Sequence, residues 1–134
     1  MENSITSSIY EWARSYDSDL RLNAVLEKNG DMCLQTGISS IETEYIDGSY
    51  QYRTDFSLVL MAPWSEGIDG LNQDAMERGE EWCEWVNAQF PTNIPELGHV
   101  DELRAEETPF LAQVLPDGTK AKYMFTCYVV WRKL

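Results

Sequence analysis

Apolar and polar side chains alternate most regularly between Ile41 and Met61, on both sides of the dipeptide Asp47-Gly48. This alternation is typical of β-strands that bury one face. Asp-Gly favours a two-residue type I′ turn, because both turn residues must take a positive φ. The segment therefore predicts a β-hairpin that turns at Asp47-Gly48.

A two-residue turn also determines which residues of the two strands lie opposite each other. The predicted pairs are Tyr45 with Tyr50, Thr43 with Tyr52, Ile41 with Thr54, Glu42 with Arg53 and Glu44 with Gln51. The apolar face continues beyond this pairing through Phe56, Leu58 and Leu60. The second strand is therefore expected to be longer than the first and to pair with another strand.

Two segments follow the 3.6-residue period of an amphipathic helix. The first has Ile5, Ile9, Trp12 and Tyr16 on one face, with Asn3 or Ser4 as the N-cap. The second runs from about Leu71 to Gln89 and places Leu71, Ala75, Trp82, Val86 and Phe90 on its inner face and Asp74, Glu77, Glu81 and Glu84 on its outer face. Gly79 marks a point where this helix can approach a sheet closely.

The remaining pattern predicts more strands. Residues 20–26 and 32–36 form a second hairpin through Lys28-Asn29-Gly30-Asp31, although a helix over 19–27 also fits the spacing. Residues 100–106 form a short extended segment, and 110–115 pair with 121–132 in a terminal hairpin. Both faces of that last strand are apolar, so both require cover.

The order of these elements predicts the fold class. We expect one α+β domain over residues 1–134, with an antiparallel or mixed β-sheet packed against an N-terminal helix and a central helix. A chain of 134 residues is long enough for one hydrophobic core.

The composition is strongly acidic, with 23 Asp and Glu residues against 10 Lys and Arg and a formal net charge of −13. Binding to a phosphate backbone needs clustered Lys or Arg, which this chain lacks. We therefore expect no nucleic-acid binding of that kind, and a solvated acidic surface instead.

Candidate catalytic residues are few. His99 is the only histidine and lies in a Gly-His-Val segment that matches no catalytic motif. Glu77, Glu80, Glu81 and Glu84 have helical spacing that could bind a divalent cation, but no histidine or ligand loop accompanies them, so a solvated helix face is the expectation. We expect no enzymatic activity, no cofactor and no metal.

The cysteines and the termini bear on the cellular compartment. Cys33, Cys83 and Cys127 form no paired motif, so reduced thiols are expected. The first residues lack a basic region followed by an apolar run, and no window reaches the length of a membrane span. We expect synthesis and folding in the cytoplasm and no contact with a membrane.

The segment Tyr45-Ile46-Asp47-Gly48-Ser49-Tyr50, followed by Asp55-Phe56, resembles the central hairpin of the minor capsid and tail-terminator proteins of long-tailed bacteriophages. The similarity extends from about Leu26 to the C-terminus. It includes the helix with Trp82 and Trp85, the segment Pro95-Glu96-Leu97 and the closing strand from Tyr123.

This resemblance implies a fold similar to the lambda-type tail terminator. It implies a virion protein that forms a homo-oligomeric ring, a hexamer on the tail, which caps the tail tube and takes part in head–tail joining. The implied partners are the tail tube protein and head-completion or connector proteins, and DNA would pass through the lumen without specific binding.

Two alternatives remain. The resemblance also implies that another head–tail connector or neck protein fits, because all of these form ring adaptors. The acidity of the chain also fits a DNA mimic that inhibits a host nuclease.

We expect association to use the hairpin edge and nearby loop residues, named here as Tyr52, Arg53 and Trp64. Aromatic residues and Arg concentrate binding energy at protein interfaces, which is the basis of this choice.

Overall fold

Six strands form a mixed β-sheet, and two helices pack on one of its faces in the part of the chain that the structure describes. The computed structural model describes residues 4–23, 26, 31–63, 73–106, 110–114 and 120–133. The elements are α1 (Ile5–Ala13), β1 (Arg21–Leu22), β2 (Met32–Glu44), β3 (Tyr50–Pro63), α2 (Gln73–Gln89), β4 (His99–Ala105), β5 (Phe110–Val114) and β6 (Lys120–Arg132). The predicted single α+β domain is confirmed.

The sheet is organised around β6. The strand order is β1-β2-β3-β6-β4, and β5 also pairs with β6. Strand β3 lies along one side of β6 from Gln51↔Arg132 to Pro63↔Lys120. On its other side, β6 pairs first with β5 and then with β4. The pairing of β1 with β2 is parallel, and the other pairings are antiparallel.

Helix α1 begins at Ile5, directly after Ser4, one of the two residues predicted as its N-cap. The Ser4 Oγ accepts a hydrogen bond from the Ser7 N–H at 3.0 Å, which satisfies one of the free amides at the helix start. Ile9 and Trp12 are buried on its inner face, as predicted. The Trp12 indole donates to the Asn93 carbonyl at 2.9 Å, which ties α1 to the segment after α2.

Helix α2 packs on the same face of the sheet. Trp82 and Val86 are fully buried, as predicted, while Glu77, Glu81 and Glu84 are exposed. A Cβ atom at Gly79 would overlap the ring of Phe125 on β6, so this glycine does permit a close approach of helix and sheet. The side chains at positions 71 and 75, predicted on the inner face of the helix, and at position 74, predicted on its outer face, lie outside the described part.

The terminal strand has the two apolar faces that its sequence predicts. Ala121, Tyr123, Phe125, Cys127, Val129 and Trp131 are buried in the main core with α1 and α2. On the opposite face, Leu26, Cys33, Val59 and Met61 form a smaller buried cluster beside Met124. The sheet therefore has a core on each face, one of them much larger.

The turn of the central hairpin differs from the prediction. The Gly48 N–H donates to the Tyr45 carbonyl at 3.0 Å, and the Tyr45 N–H donates to the Ser49 carbonyl at 2.9 Å. The loop is therefore Ile46–Gly48, in which Gly48 alone takes a positive φ, of 88°. This is a turn followed by a left-handed glycine, a common form of the three-residue hairpin loop. The predicted two-residue turn at Asp47-Gly48 is wrong.

The predicted register is wrong for the same reason. Glu44 lies opposite Tyr50 and not opposite Gln51 as predicted. Irregularities between Ile41 and Thr43 and between Thr36 and Ser39 shift the register further from the prediction. Arg53 therefore lies opposite Ser40, and Glu42 is not its partner. An extra residue in one strand displaces every later pair, and the alternation of side chains alone does not locate it.

The expected pairing of β3 with another strand is confirmed, because β3 pairs with β6 from Gln51 to Pro63. Phe56, Leu58 and Leu60 do not lie beyond the hairpin pairing, since β2 pairs with β3 as far as Met32↔Leu60 and β3 continues past it only to Pro63. A prediction about the preceding segment fails. Residues 21–22 pair with β2 in parallel, so the predicted hairpin of 20–26 with 32–36 is wrong, and so is the competing helix. The Tyr10 hydroxyl of α1 donates a hydrogen bond to the Leu20 carbonyl at 2.9 Å. This bond ties the residue just before β1 to helix α1.

Candidate interaction surface

Tyr52 lies on the face of the sheet that the helices cover. It pairs with Ile41 on β2 and with Trp131 on β6. Its ring stacks on the Trp131 indole with centroids 5.0 Å apart, and the Lys133 ammonium lies 5.6 Å from the Tyr52 ring centroid. Tyr52 is half-buried and continues the aromatic core toward the end of the sheet.

Arg53 projects from the opposite face. Its Nε donates to Asp55 Oδ1 at 3.0 Å, and its Nη2 donates to Glu106 Oε1 at 3.0 Å. The guanidinium carbon lies 4.1 Å from the ring centroid of Tyr128, a cation–π geometry. Arg53 is therefore held by three neighbours of its own chain.

The structure does not bring the predicted interface residues into one patch. Tyr52 and Arg53 are adjacent on β3, so their side chains point to opposite faces of the sheet. Strand β3 lies between β2 and β6 and is not a sheet edge at these positions. Trp64 lies outside the described residues. The prediction that these three residues carry the interface stays a prediction.

The most exposed feature of the described chain is the end of the β2–β3 hairpin, which we call the distal arm (Ile41–Tyr50). Every residue of the arm is exposed, and the pairing of β3 with β6 begins only at Gln51. The side chain of Ile46 is fully exposed at the tip, and that of Ile41 is 59% exposed. Tyr45 and Tyr50 add two further partly exposed rings.

The tip of the arm has a fixed geometry. Asp47 Oδ1 accepts hydrogen bonds from the Ser49 N–H at 2.9 Å and from the Ser49 hydroxyl at 2.6 Å. These bonds lower the pKa of Asp47, so its carboxylate is charged at neutral pH. Together with Glu42 and Glu44, it gives the arm three acidic side chains and no basic one.

A polar clamp joins three strands near the base of the arm. Asp101 accepts two hydrogen bonds from Arg132, each at 2.9 Å, and a third from the Gln51 amide at 2.9 Å. His99 Nε2 lies 3.2 Å from Asp101 Oδ1. These contacts, chiefly the Arg132 hydrogen bonds, lower the pKa of Asp101. The only histidine thus lies beside a carboxylate that Arg132 already occupies.

Two cavities flank the contact between α2 and β4, where Asn87 Oδ1 accepts a hydrogen bond from the Ala105 N–H at 2.9 Å. The larger, about 610 Å³, is lined by Asn87, Phe90 and residues 102–105. The smaller, about 210 Å³, includes Cys83, Glu80 and Glu84. Burial raises the pKa of the Cys83 thiol to about 11, with Glu80 adding to the effect. At neutral pH this thiol is protonated and is a poor nucleophile.

The carboxylates of α2 form no metal site in the described structure. Among the described residues, no group of three or more His, Cys, Asp or Glu side chains is arranged to hold a metal ion. Neither α1 nor α2 nor any other helix of the described residues combines the length and apolar character needed to span a bilayer.

Sequence reasoning missed the clamp and the exposure of the arm beyond β6. Gln51, Asp101 and Arg132 are far apart along the chain, and only the sheet register brings them together. The arm had a visible signal, because Glu42, Glu44 and Asp47 occupy a segment with no Lys or Arg. Its exposure depends on where β6 ends, which the sequence pattern does not give.

Comparison with protein family models and with curated proteins finds no match for this chain.

Proposed function

We propose that this protein is a structural subunit of a long-tailed bacteriophage, a tail-terminator or minor capsid protein that forms a homo-oligomeric ring on the tail tube. The proposal comes from the resemblance of the segment around Tyr45–Tyr50 to that family. In this role the protein would act in head–tail joining and reside in the tail or neck of the virion.

The observation that best supports a ring subunit is the presence of open sheet edges on two sides. On one side of the sheet, β1 pairs with β2 only at Cys33 and Leu34. Among the described residues, no strand pairs with the outer side of β2 over Gln35–Glu44. On the other side, β4 and β5 are the outermost described strands. Open edges offer backbone groups to another chain, and two different edges suit a head-to-tail contact that closes into a ring.

The acidity is consistent with this role. Carboxylates that line a ring would repel the phosphates of DNA, so that DNA traverses the lumen without binding. The tail tube protein and head-completion or connector proteins would be the partners. A neck or connector protein would have the same edges, and the tail assay below separates it from a terminator.

We propose a structural role and no catalysis. His99 contacts Asp101, which is already bonded to Arg132 and Gln51, so this pair is arranged to join strands. Cys83 has a raised pKa and is not activated.

The test adds the purified protein to phage tails assembled without a terminator and scores the tails that become able to join heads. Mass photometry and negative-stain microscopy, with and without tube ends, report the oligomer. We expect rings on tube ends and recovery of head joining, with His99→Ala as active as the wild type. A stable monomer that leaves the tails unchanged, or that inhibits a nuclease instead, contradicts the proposal.

A further inference from the structure

We propose that the distal arm (Ile41–Tyr50) is a docking element that inserts into a basic, apolar-lined cleft of a different protein. The arm shares Ile41–Glu44 with the open edge of β2, but the inference concerns its loop and exposed side chains, and it holds whether or not the chain forms a ring.

Exposed apolar side chains define the contact surface of the arm. Ile46 is fully exposed at the tip, and Ile41, Tyr45 and Tyr50 expose between 36% and 59% of their surface. Single exposed apolar residues are common, but four of them within ten residues at one end of a hairpin favour an interaction site. Aromatic side chains among them are the type that anchors protein interfaces.

The arm is held in place before any partner binds. The Tyr50 ring lies 6.2 Å from that of Tyr52, which stacks on the buried Trp131 indole. At the tip, Ser49 is bonded to Asp47, and the Tyr45 N–H to the Ser49 carbonyl. A rigid element loses little conformational entropy on binding, which favours affinity.

The charge of the arm argues for a basic partner. Glu42, Glu44 and Asp47 are interspersed with the apolar residues along the arm, and no Lys or Arg lies between residues 41 and 50. Burial of this surface against an apolar or acidic protein would leave these carboxylates without counter-charges. Lys or Arg around the cleft would satisfy them and would accelerate association.

The same charge argues against a second copy of this chain. Two arms brought side by side would place like charges opposite each other. The chain has 10 basic residues against 23 acidic ones, and five of the basic residues already lie within 4.0 Å of its own carboxylates. Those five are Arg14, Arg21, Arg53, Arg104 and Arg132. The complementary cleft is therefore on another protein.

The experiment uses two synthetic peptides as probes, one of alternating Lys and Leu and one of alternating Glu and Leu, titrated into isotope-labelled full-length protein. We expect the Lys–Leu peptide to shift the backbone resonances of residues 41–50, with an affinity that falls as salt rises, because ion pairing contributes to it. The Glu–Leu peptide should leave these resonances unchanged.

Two matched pairs of variants test the location. Glu42→Lys with Glu44→Lys should weaken peptide binding about tenfold, whereas Glu77→Lys with Glu81→Lys on exposed α2 changes the net charge equally and should have little effect. Ile46→Ser should weaken binding about fivefold or more, and Phe90→Ser, at another exposed apolar residue, should not.

Equal losses in both charge-reversed proteins would show that overall charge, and not the arm, attracts the peptide, and would overturn the proposal. Arm resonances that shift with protein concentration alone would identify a second copy as the occupant and would overturn it too. Ring formation is measured separately by mass photometry, so a failure of the ring proposal does not affect this outcome.

Discussion

Phe125 lies directly beneath Gly79, where helix α2 meets the central strand β6. Any Cβ atom on the helix at this point would overlap the aromatic ring. Phe125 is itself buried, with neighbours in the main core on the same face of the sheet. The absence of a side chain at Gly79 therefore lets the helix lie this close to the sheet.

Gly79→Ala should destabilise the protein, although alanine is the better helix former by about 1 kcal/mol. The overlap with the Phe125 ring forces a shift of the helix or of a buried side chain, and overpacking of this kind costs about 1 to 3 kcal/mol. The free energy of unfolding from urea denaturation is the measurement. Glu81→Ala, on the exposed face of the same helix, is the control and should change stability little.

Trp82→Ala should cost about 3 to 5 kcal/mol, because it leaves a cavity in the main core. Trp82 is fully buried and contacts the rings of Trp12, Tyr16 and Phe56. Trp85→Ala is the matched control, since that indole is only partly buried and should cost clearly less. Equal unfolding midpoints for the two variants would contradict the burial of Trp82.

The periodic elements could be predicted from the sequence because their signals are local. The positions of Ser4, Trp82 and Gly79 within their helices follow from spacing and capping rules, and the structure confirms each. Apolar alternation likewise identified β3 and β6. These signals depend on residues only a few positions apart.

Register and long-range contacts could not be predicted in the same way. The hairpin register depends on where one strand carries an extra residue, as between Ile41 and Thr43, and alternation is nearly unchanged by it. The parallel pairing of β1 with β2 depends on how α1 holds Leu20, a tertiary contact. The Asp101 clamp joins side chains from three strands and has no local signal.

Gly48→Ala should destabilise the hairpin by about 1 kcal/mol, because an L-residue with a side chain resists positive φ. Gly48 has a φ of 88°, and a Cβ atom added to it would meet no other atom within 4 Å, so the effect is backbone strain alone. Gly48→Asn should cost less, since Asn tolerates the left-handed region better. Thermal unfolding of the two variants measures the difference, and equal losses would indicate a steric cause.

Asp101→Asn should lower stability at neutral pH, with the difference from the wild type disappearing in acid. The Arg132 hydrogen bonds hold the pKa of Asp101 below its ordinary value of 3.8. A lowered folded-state pKa contributes stability that is present above the ordinary value and is lost as the pH falls through the folded value. Urea unfolding at several pH values is the test, with exposed Glu84→Gln as the control. A difference that persists unchanged at low pH would exclude this carboxylate as its source.

Arg53→Glu should destabilise the fold itself, because Arg53 is bonded within its own chain. The substitution removes hydrogen bonds to Asp55 and Glu106 and places a third carboxylate beside them, at a cost of about 2 kcal/mol. Arg53→Gln removes the charge without the repulsion and should cost less, so it is the better variant for assays of association.

Adding Glu106→Arg to Arg53→Glu should recover part of the loss, and a double-mutant cycle in urea measures that coupling. A coupling energy of zero would show that the Arg53–Glu106 contact does not contribute to stability.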